Sequence, residues 1–147
     1  MNAAESRFKG KVCGYVGFDP LVERHMMAGC DFLLMPSRYE PCGIPQMIAM
    51  TYGTVPIVHA TGGLKDSVTD YADAPLEEAN GHWIYPLSGC KMKEVLYRAL
   101  DLYFNEPQKH EMLQKNAMVK NFYWPHAIDE YEKAFDWTLA DAALYKV

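Results

Sequence analysis

The residues best suited to chemistry stand together in the run Ser37-Arg38-Tyr39-Glu40-Pro41-Cys42-Gly43-Ile44-Pro45-Gln46. It follows an apolar segment at 31–35 that ends at Pro36, and it precedes a helical pattern opening at Pro45. It therefore leaves the carboxyl end of a strand and enters a helix, where open α/β sheets bind ligands. Amides at a helix N-terminus point outward unpaired and carry partial positive charge, so a diphosphate can be held there without a basic side chain. Gly43 lets a ligand approach the backbone closely. Glu40 offers a carboxylate just before the turn. Such a group accepts hydrogen bonds from sugar hydroxyls or favours positive charge developing at an anomeric carbon, and the bare spacing equally allows an ordinary loop acid near a helix start.

The elements that must position this loop are legible as alternating patterns. Residues 12–17 and 31–35 read as short buried strands. Between them Asp19 caps a helix that Pro20 opens and Gly29 stops, carrying Leu21, Val22, His25, Met26 and Met27 at helical spacing. The pattern repeats with a helix from Pro45, a Gly53 stop and a β-rich run at 54–59. A turn follows at Thr61-Gly62-Gly63, with a short helix starting near Leu64. Strands and helices alternating at this spacing predict parallel β-α-β units with right-handed crossovers and helices on both sheet faces. Residues 71–81 read as an acidic surface loop, 82–86 as a short strand, and everything from about 91 to 147 as helical. In that tail Val95, Leu96, Ala99, Leu100, Leu102 and Tyr103 form one stripe, and Pro107 and Pro125 open helices through about 119 and 144.

Composition removes several classes of function. The 147 residues are 50% hydrophobic and 22% charged, the balance of one folded core. A net charge of -5 opposes a phosphate-tracking surface, so nucleic acid is not an expected partner. No apolar run reaches the ~20 residues that cross a bilayer, so no membrane partner is expected either. The opening MNAAESRFKGK shows neither a signal-peptide core nor a long transit stretch. Cys13, Cys30, Cys42 and Cys90 lack CxxC spacing and read as reduced thiols. His25, His59, His82, His110 and His126 show no metal spacing, although His59, just before the glycine turn, is placed to face a cleft. The paired methionines, Met26 with Met27 and Met47 with Met50, read as core filler.

The run from Ser37 to Ile44 followed by Gln46, then Tyr52-Gly53-Thr54-Val55-Pro56 and Thr61-Gly62-Gly63-Leu64, closely resembles the starch and glycogen synthase family of retaining glucosyltransferases. The similarity starts near Gly17-Phe18 and continues through the closing helices. The glycine turn alone would be weak, since most such turns only reverse the chain. The resemblance implies a partial Rossmann-like parallel sheet with flanking helices, the second half of the C-terminal domain of a GT-B-type enzyme, with a helical tail. It implies glucose transfer from ADP-glucose or UDP-glucose to the nonreducing end of an α-1,4-glucan, with no metal and no cofactor.

By position, the resemblance makes Glu40 the catalytic-region carboxylate and places Cys42, Gly43, Ile44, Gln46, Thr61, Gly62 and Gly63 at the donor. Phe18 falls where the family often stacks an aromatic on the base; the other reading of Phe18 is a staple on the helix opening at Asp19. Two departures stand out. Ile48 occupies the place where many related transferases carry a second Glu, which favours the starch and glycogen synthase branch. Pro45 removes an amide donor at the helix start.

The family's other groups are expected outside this chain: a first domain with the acceptor loop, and the Arg and Lys that grip the donor phosphates, with which Arg7, Lys9 and Lys11 do not align. The expectation is a part of a glucan synthase, nearly inactive alone, whose missing N-terminal domain is a partner. The rival is a non-catalytic interaction module that binds nucleotide, glucan or a synthase subunit. The expected compartment is the plastid stroma for a plant or algal source and the cytoplasm otherwise. The aromatic end, Tyr123, Trp124, Tyr131, Phe135 and Trp137, is expected to pack on the missing domain or to expose an apolar patch.

Overall fold

The computed structural model describes residues 2–140. A short helix α1 (Asn2–Arg7) leads into an irregular stretch, then come α2 (Pro20–Gly29) and the first strand β1 (Phe32–Met35). Next are α3 (Pro45–Thr51), β2 (Val55–His59), α4 (Gly62–Ser67) and β3 (His82–Ile84). Three helices close the chain, α5 (Gly89–Asn105), α6 (Pro107–Val119) and α7 (Trp124–Ala140). The three strands form one parallel sheet in the order β1-β2-β3, with Phe32 opposite Val55 and Ile57 opposite His82. The sheet therefore has the predicted β-α-β construction, with α3 and α4 in its two crossovers.

β2 is central and buried along Val55, Pro56, Ile57 and Val58, as expected of a parallel strand covered on both faces. Its alternating side chains enter different clusters. Val58 packs with Met50, Leu64, Val68 and Ala117, while Ile57 packs with Ile84, Val95 and Ala99. Helices thus lie on both faces, α3 and α4 on one and α5 on the other, with α6 contributing Ala117 to the first and Leu113 to the Val55 cluster. The predicted α5 stripe is buried at Val95, Ala99 and Leu102, but Leu100 lies outside it and is 41% exposed.

The strand expected at 12–17 does not form. That stretch is irregular and Val16 is 86% exposed. Gly14 and Gly17 leave the run with few side chains to pair or bury, and glycine weakens a strand interior. β1 is consequently an edge strand, half-buried rather than buried, with Leu34 42% exposed. α2 still forms as read: the Asp19 carboxylate accepts from the Leu21 and Val22 amides at 2.9 and 3.3 Å, and Pro20 starts the helix. The Thr54 hydroxyl ties the end of α2 to the sheet by donating toward the Met27 carbonyl, with the Cys30 carbonyl 2.8 Å away.

The segment 71–81 is less of a surface loop than its polarity suggested. Ala79 and Asn80 are buried and Leu76 packs on the core. Its polar groups find partners: the Asn116 side-chain amide donates to the Leu76 and Ala79 backbone carbonyls at 2.8 Å each, and the Asn80 side-chain oxygen Oδ1 accepts from the Thr69 backbone amide at 2.7 Å. α7 leaves Trp124, Tyr131, Phe135, Trp137 and Leu139 exposed, and the predicted end of this helix near 144 lies outside the described residues.

Candidate functional site

β1 and β2 are parallel neighbours, so the loops that follow their carboxyl ends lie side by side. The first carries Glu40, Cys42 and Gly43; the second is the Thr61-Gly62-Gly63 turn. They are in direct backbone contact. The Gly63 amide donates to the Glu40 carbonyl at 3.1 Å and lies 3.3 Å from that of Pro41. A Cβ on Gly62 would stand 2.1 Å from the Glu40 carbonyl oxygen, and one on Gly63 would stand 1.9 Å from that of Cys42. Only glycine permits this approach, so both residues are there to seat the acidic loop.

The acidic loop is held from below as well. Gly43 adopts φ 74°, a left-handed conformation that side chains disfavour. Gln46, the second residue of α3, is wholly buried beneath it, and its Nε2 donates to the Gly43 carbonyl at 2.7 Å and to Ser67 Oγ at 3.1 Å. The Ser67 hydroxyl in turn donates to the Gly63 carbonyl at 2.6 Å. His59, at the end of β2, sets its Nδ1 2.6 Å from the Ser37 carbonyl; since a carbonyl only accepts, that nitrogen carries the proton. Ser37 Oγ approaches Glu40 Oε2 at 3.5 Å, the long limit of a hydrogen bond, leaving the half-buried carboxylate free to meet a ligand.

The structure therefore brings Glu40, Cys42, Gly43, Gln46, Thr61, Gly62 and Gly63 into one cluster, in which Cys42 is exposed and Thr61 caps α4 by its backbone position without a side-chain bond. Gln46 sits differently from a ligand-contacting residue: at 0% exposure it reaches the surface only through the backbone it holds. Ile44 is 59% exposed at the start of α3 and makes no side-chain cap. Pro45 does occupy the first helical position. Phe18 lies elsewhere, 91% exposed on an apolar cleft of about 440 Å³ that it lines with Tyr15, Val22, Met26, Phe32 and Thr54.

Sequence reasoning missed Ser67, 21 positions from Gln46 and without any local spacing to link them. It also missed Asp70. This buried carboxylate accepts from the Trp83 amide at 2.9 Å and pairs with Arg98 at 3.2 Å, beside a polar hollow of about 510 Å³. Burial raises its pKa above the ordinary carboxylate value, a tendency that the Trp83 amide and the Arg98 guanidinium oppose. His82 is fully buried in β3 with neither ring nitrogen bonded among the described residues, and burial pushes it down to about 3. No group of three or more potential metal-ligating side chains is assembled among the described residues.

The family model described as "Glycosyl transferases group 1" matches residues 2–120. Starch synthase 1, chloroplastic/amyloplastic, of Triticum aestivum is 44% identical over 143 residues, which are 96% of this chain and 22% of that protein. Glycogen synthase of Moorella thermoacetica is 38% identical over 143 residues, 96% of this chain and 29% of that protein. The chain thus spans 22% and 29% of the length of these two relatives. Among solved structures, the catalytic domain of starch synthase IV from Arabidopsis thaliana bound to ADP and acarbose superposes with a TM-score of 0.85 at 31% identity, covering 95% of this chain and 29% of that one. Sucrose-phosphate synthase from Thermosynechococcus elongatus shares the fold, with a TM-score of 0.69 at 22% identity over 96% of this chain and 33% of that one.

Proposed function

The chain belongs to the group 1 glycosyl transferases, with a GT-B-type fold and starch and glycogen synthase relatives, and from that premise we propose that it is the donor-binding part of an α-1,4-glucan synthase. In this reading residues 1–147 are part of a C-terminal glycosyltransferase domain. The enzyme they serve moves glucose from ADP-glucose, or UDP-glucose, to the nonreducing end of an α-1,4-glucan with retention. The observation that carries the reading is the junction of two loops at the carboxyl ends of adjacent parallel strands, with the Glu40 backbone seated on Gly62 and Gly63. The structural relative bound to ADP gives it further support.

Each residue's proposed part follows from its placement. Glu40 turns a half-buried carboxylate toward the reacting sugar, where a fixed negative group in a dehydrated site stabilises positive charge at the anomeric carbon. Gly43 and the Gly62-Gly63 turn bring the backbone close to the donor's glucose and diphosphate, with Cys42, Ile44 and Thr61 along the same rim. α3 has only seven residues and starts with Pro45, so the loop amides, rather than a long helix dipole, meet the phosphates. Phe18 stacks on the base only if the segment before α2 moves from its present position beside the apolar cleft. A first domain supplies the acceptor site and the phosphate-gripping cations. The plastid stroma in a plant or alga, and the cytoplasm otherwise, is the compartment proposed, in keeping with the chloroplastic or amyloplastic wheat relative.

Calorimetric titration of the chain with ADP, ADP-glucose and UDP-glucose, beside Gly43→Val, tests this. Val at position 43 faces both φ 74° and a Cβ contact of 2.6 Å with Gln46 Oε1. Binding of an ADP ligand that Gly43→Val abolishes is the expected result. A folded chain that binds none of the three removes the donor-site reading and leaves the interaction module.

A further inference from the structure

We propose that Gln46 and Ser67 form a buried clamp that fixes the acidic loop and the glycine turn as one unit, so that two side chains out of reach of any ligand set how well the site binds its donor. This rests on the donor-site reading for its consequence, though not for the clamp itself. Gln46 is 0% exposed and Ser67 7% exposed, so neither lies on the rim. Their hydrogen bonds run in one direction. Gln46 Nε2 spends one proton on the Gly43 carbonyl at 2.7 Å and the other on Ser67 Oγ at 3.1 Å, and the Ser67 hydroxyl passes its own to the Gly63 carbonyl at 2.6 Å. The Gly63 amide then returns to the Glu40 carbonyl at 3.1 Å. The circuit joins both loops through five residues: Glu40 and Gly43 of the loop after β1, Gln46 of α3, and Gly63 and Ser67 of α4.

The direction of these bonds fixes the amide orientation. Turned over, Gln46 would aim Oε1 at the Gly43 carbonyl, acceptor against acceptor. As it stands, Oε1 is buried with no hydrogen-bond partner among the described residues, and an unpaired buried acceptor costs free energy that an apolar side chain of the same size would not. Packing alone therefore does not account for Gln at this position, whereas the two donated bonds do. Because the glycine carbonyls are held rather than left to search, the loops lose less freedom when a ligand binds, which raises affinity without a new contact. Gln46 and Ser67 are positioning residues in this scheme.

The clamp is tested in the full chain by amide hydrogen exchange and by ADP titration. Gln46→Met keeps the volume and removes the donors; Ser67→Ala removes a single hydroxyl and carries the test if the first variant folds poorly; Ser67→Thr keeps the hydroxyl. The expected result is that the Gly63 amide exchanges about tenfold faster in Gln46→Met and in Ser67→Ala, while Ile57 and Val58 in β2 keep their protection. ADP affinity should fall about tenfold in both, a difference of about 1.4 kcal/mol, and return in Ser67→Thr. The two losses should not add, since both break one circuit. Unchanged Gly63 exchange overturns the clamp. So does acceleration shared equally by Gly63 and β2, which would make Gln46 a core residue only. If the parent chain binds no ADP, the donor-site reading fails, while the exchange data still decide the clamp.

Discussion

The backbone amide of Gly63 donates to the carbonyl of Glu40 at 3.1 Å, joining the turn after one strand to the carboxylate-bearing loop after its neighbour. Taken alone, the glycine turn is an ordinary chain reversal. Its two glycines gain their significance from the carbonyls of Glu40 and Cys42 lying where side chains would otherwise be. The carboxylate's position is thus set by backbone packing between two loops that are distant in sequence.

Gly63→Ala forces a methyl group to within 1.9 Å of the Cys42 carbonyl oxygen. The loops must part, and the expected loss of stability is about 1–3 kcal/mol, the usual cost of overpacking, with ADP binding lost as well. Gly29→Ala is the control, since nothing lies within 4 Å of its Cβ position. At the end of α2 it should be neutral or stabilising by up to about 1 kcal/mol. Urea denaturation of both variants measures the contrast.

Stability should fall below neutral pH because of His82. Burial, with Arg98 and His110 adding to it, holds this ring neutral down to about pH 3 in the folded chain, against the ordinary imidazole value of 6.5. The unfolded chain takes up the proton first, so the neutral ring's contribution is complete above about pH 6.5 and is lost as pH drops toward 3. The slope in that window approaches about 1.4 kcal/mol per pH unit. His110, also lowered by burial, adds in the same direction. Urea midpoints at pH 7.5 and 5 should show the drop, and His82→Leu should flatten it.

Asp70→Ala leaves the Trp83 amide and the Arg98 guanidinium without the oxygen they share. Arg98 Nε is already buried without a partner among the described residues, so the loss falls on a group poorly placed to recover it. About 1–3 kcal/mol of stability should disappear, while Asp70→Asn, which keeps an oxygen for Trp83, should lose less. Thermal or urea unfolding distinguishes the two.

Removing residues from 124 onward should leave the sheet nearly as stable as before. Among the described residues α7 contributes no side chain to the three core clusters, and it exposes Trp124, Tyr131, Phe135, Trp137 and Leu139. An apolar surface of this kind promotes association, so sedimentation should show less self-association in the shortened chain. A large fall in the urea midpoint would mean that α7 supports the core.

The elements were legible where the signal was local. Asp19 and Pro20 announced α2, Pro45 and Gly53 bracketed α3, and the β-rich run at 54–59 pointed to the central strand. The failed strand at 12–17 shared the short apolar character of these runs but carried Gly14 and Gly17. Pairing is what makes a strand, and a pattern one segment wide does not show whether a neighbour is there to pair with. The loop at 71–81 misled for a related reason, since its polarity hid Ala79 and Asn80, whose burial depends on Asn116 from α6.

The sequence by itself determined the family, the alternation of strands and helices, and the identity of the acidic loop, because these are written in short runs and fixed spacings. Only the tertiary structure decided why the turn must be Gly62-Gly63, that Gln46 lies beneath the loop rather than on it, and that Ser67 completes the connection. Those facts arise from contacts between segments about 20 residues apart, brought together by parallel strand pairing. A spacing rule along one chain carries no record of which carbonyl will rest against which glycine.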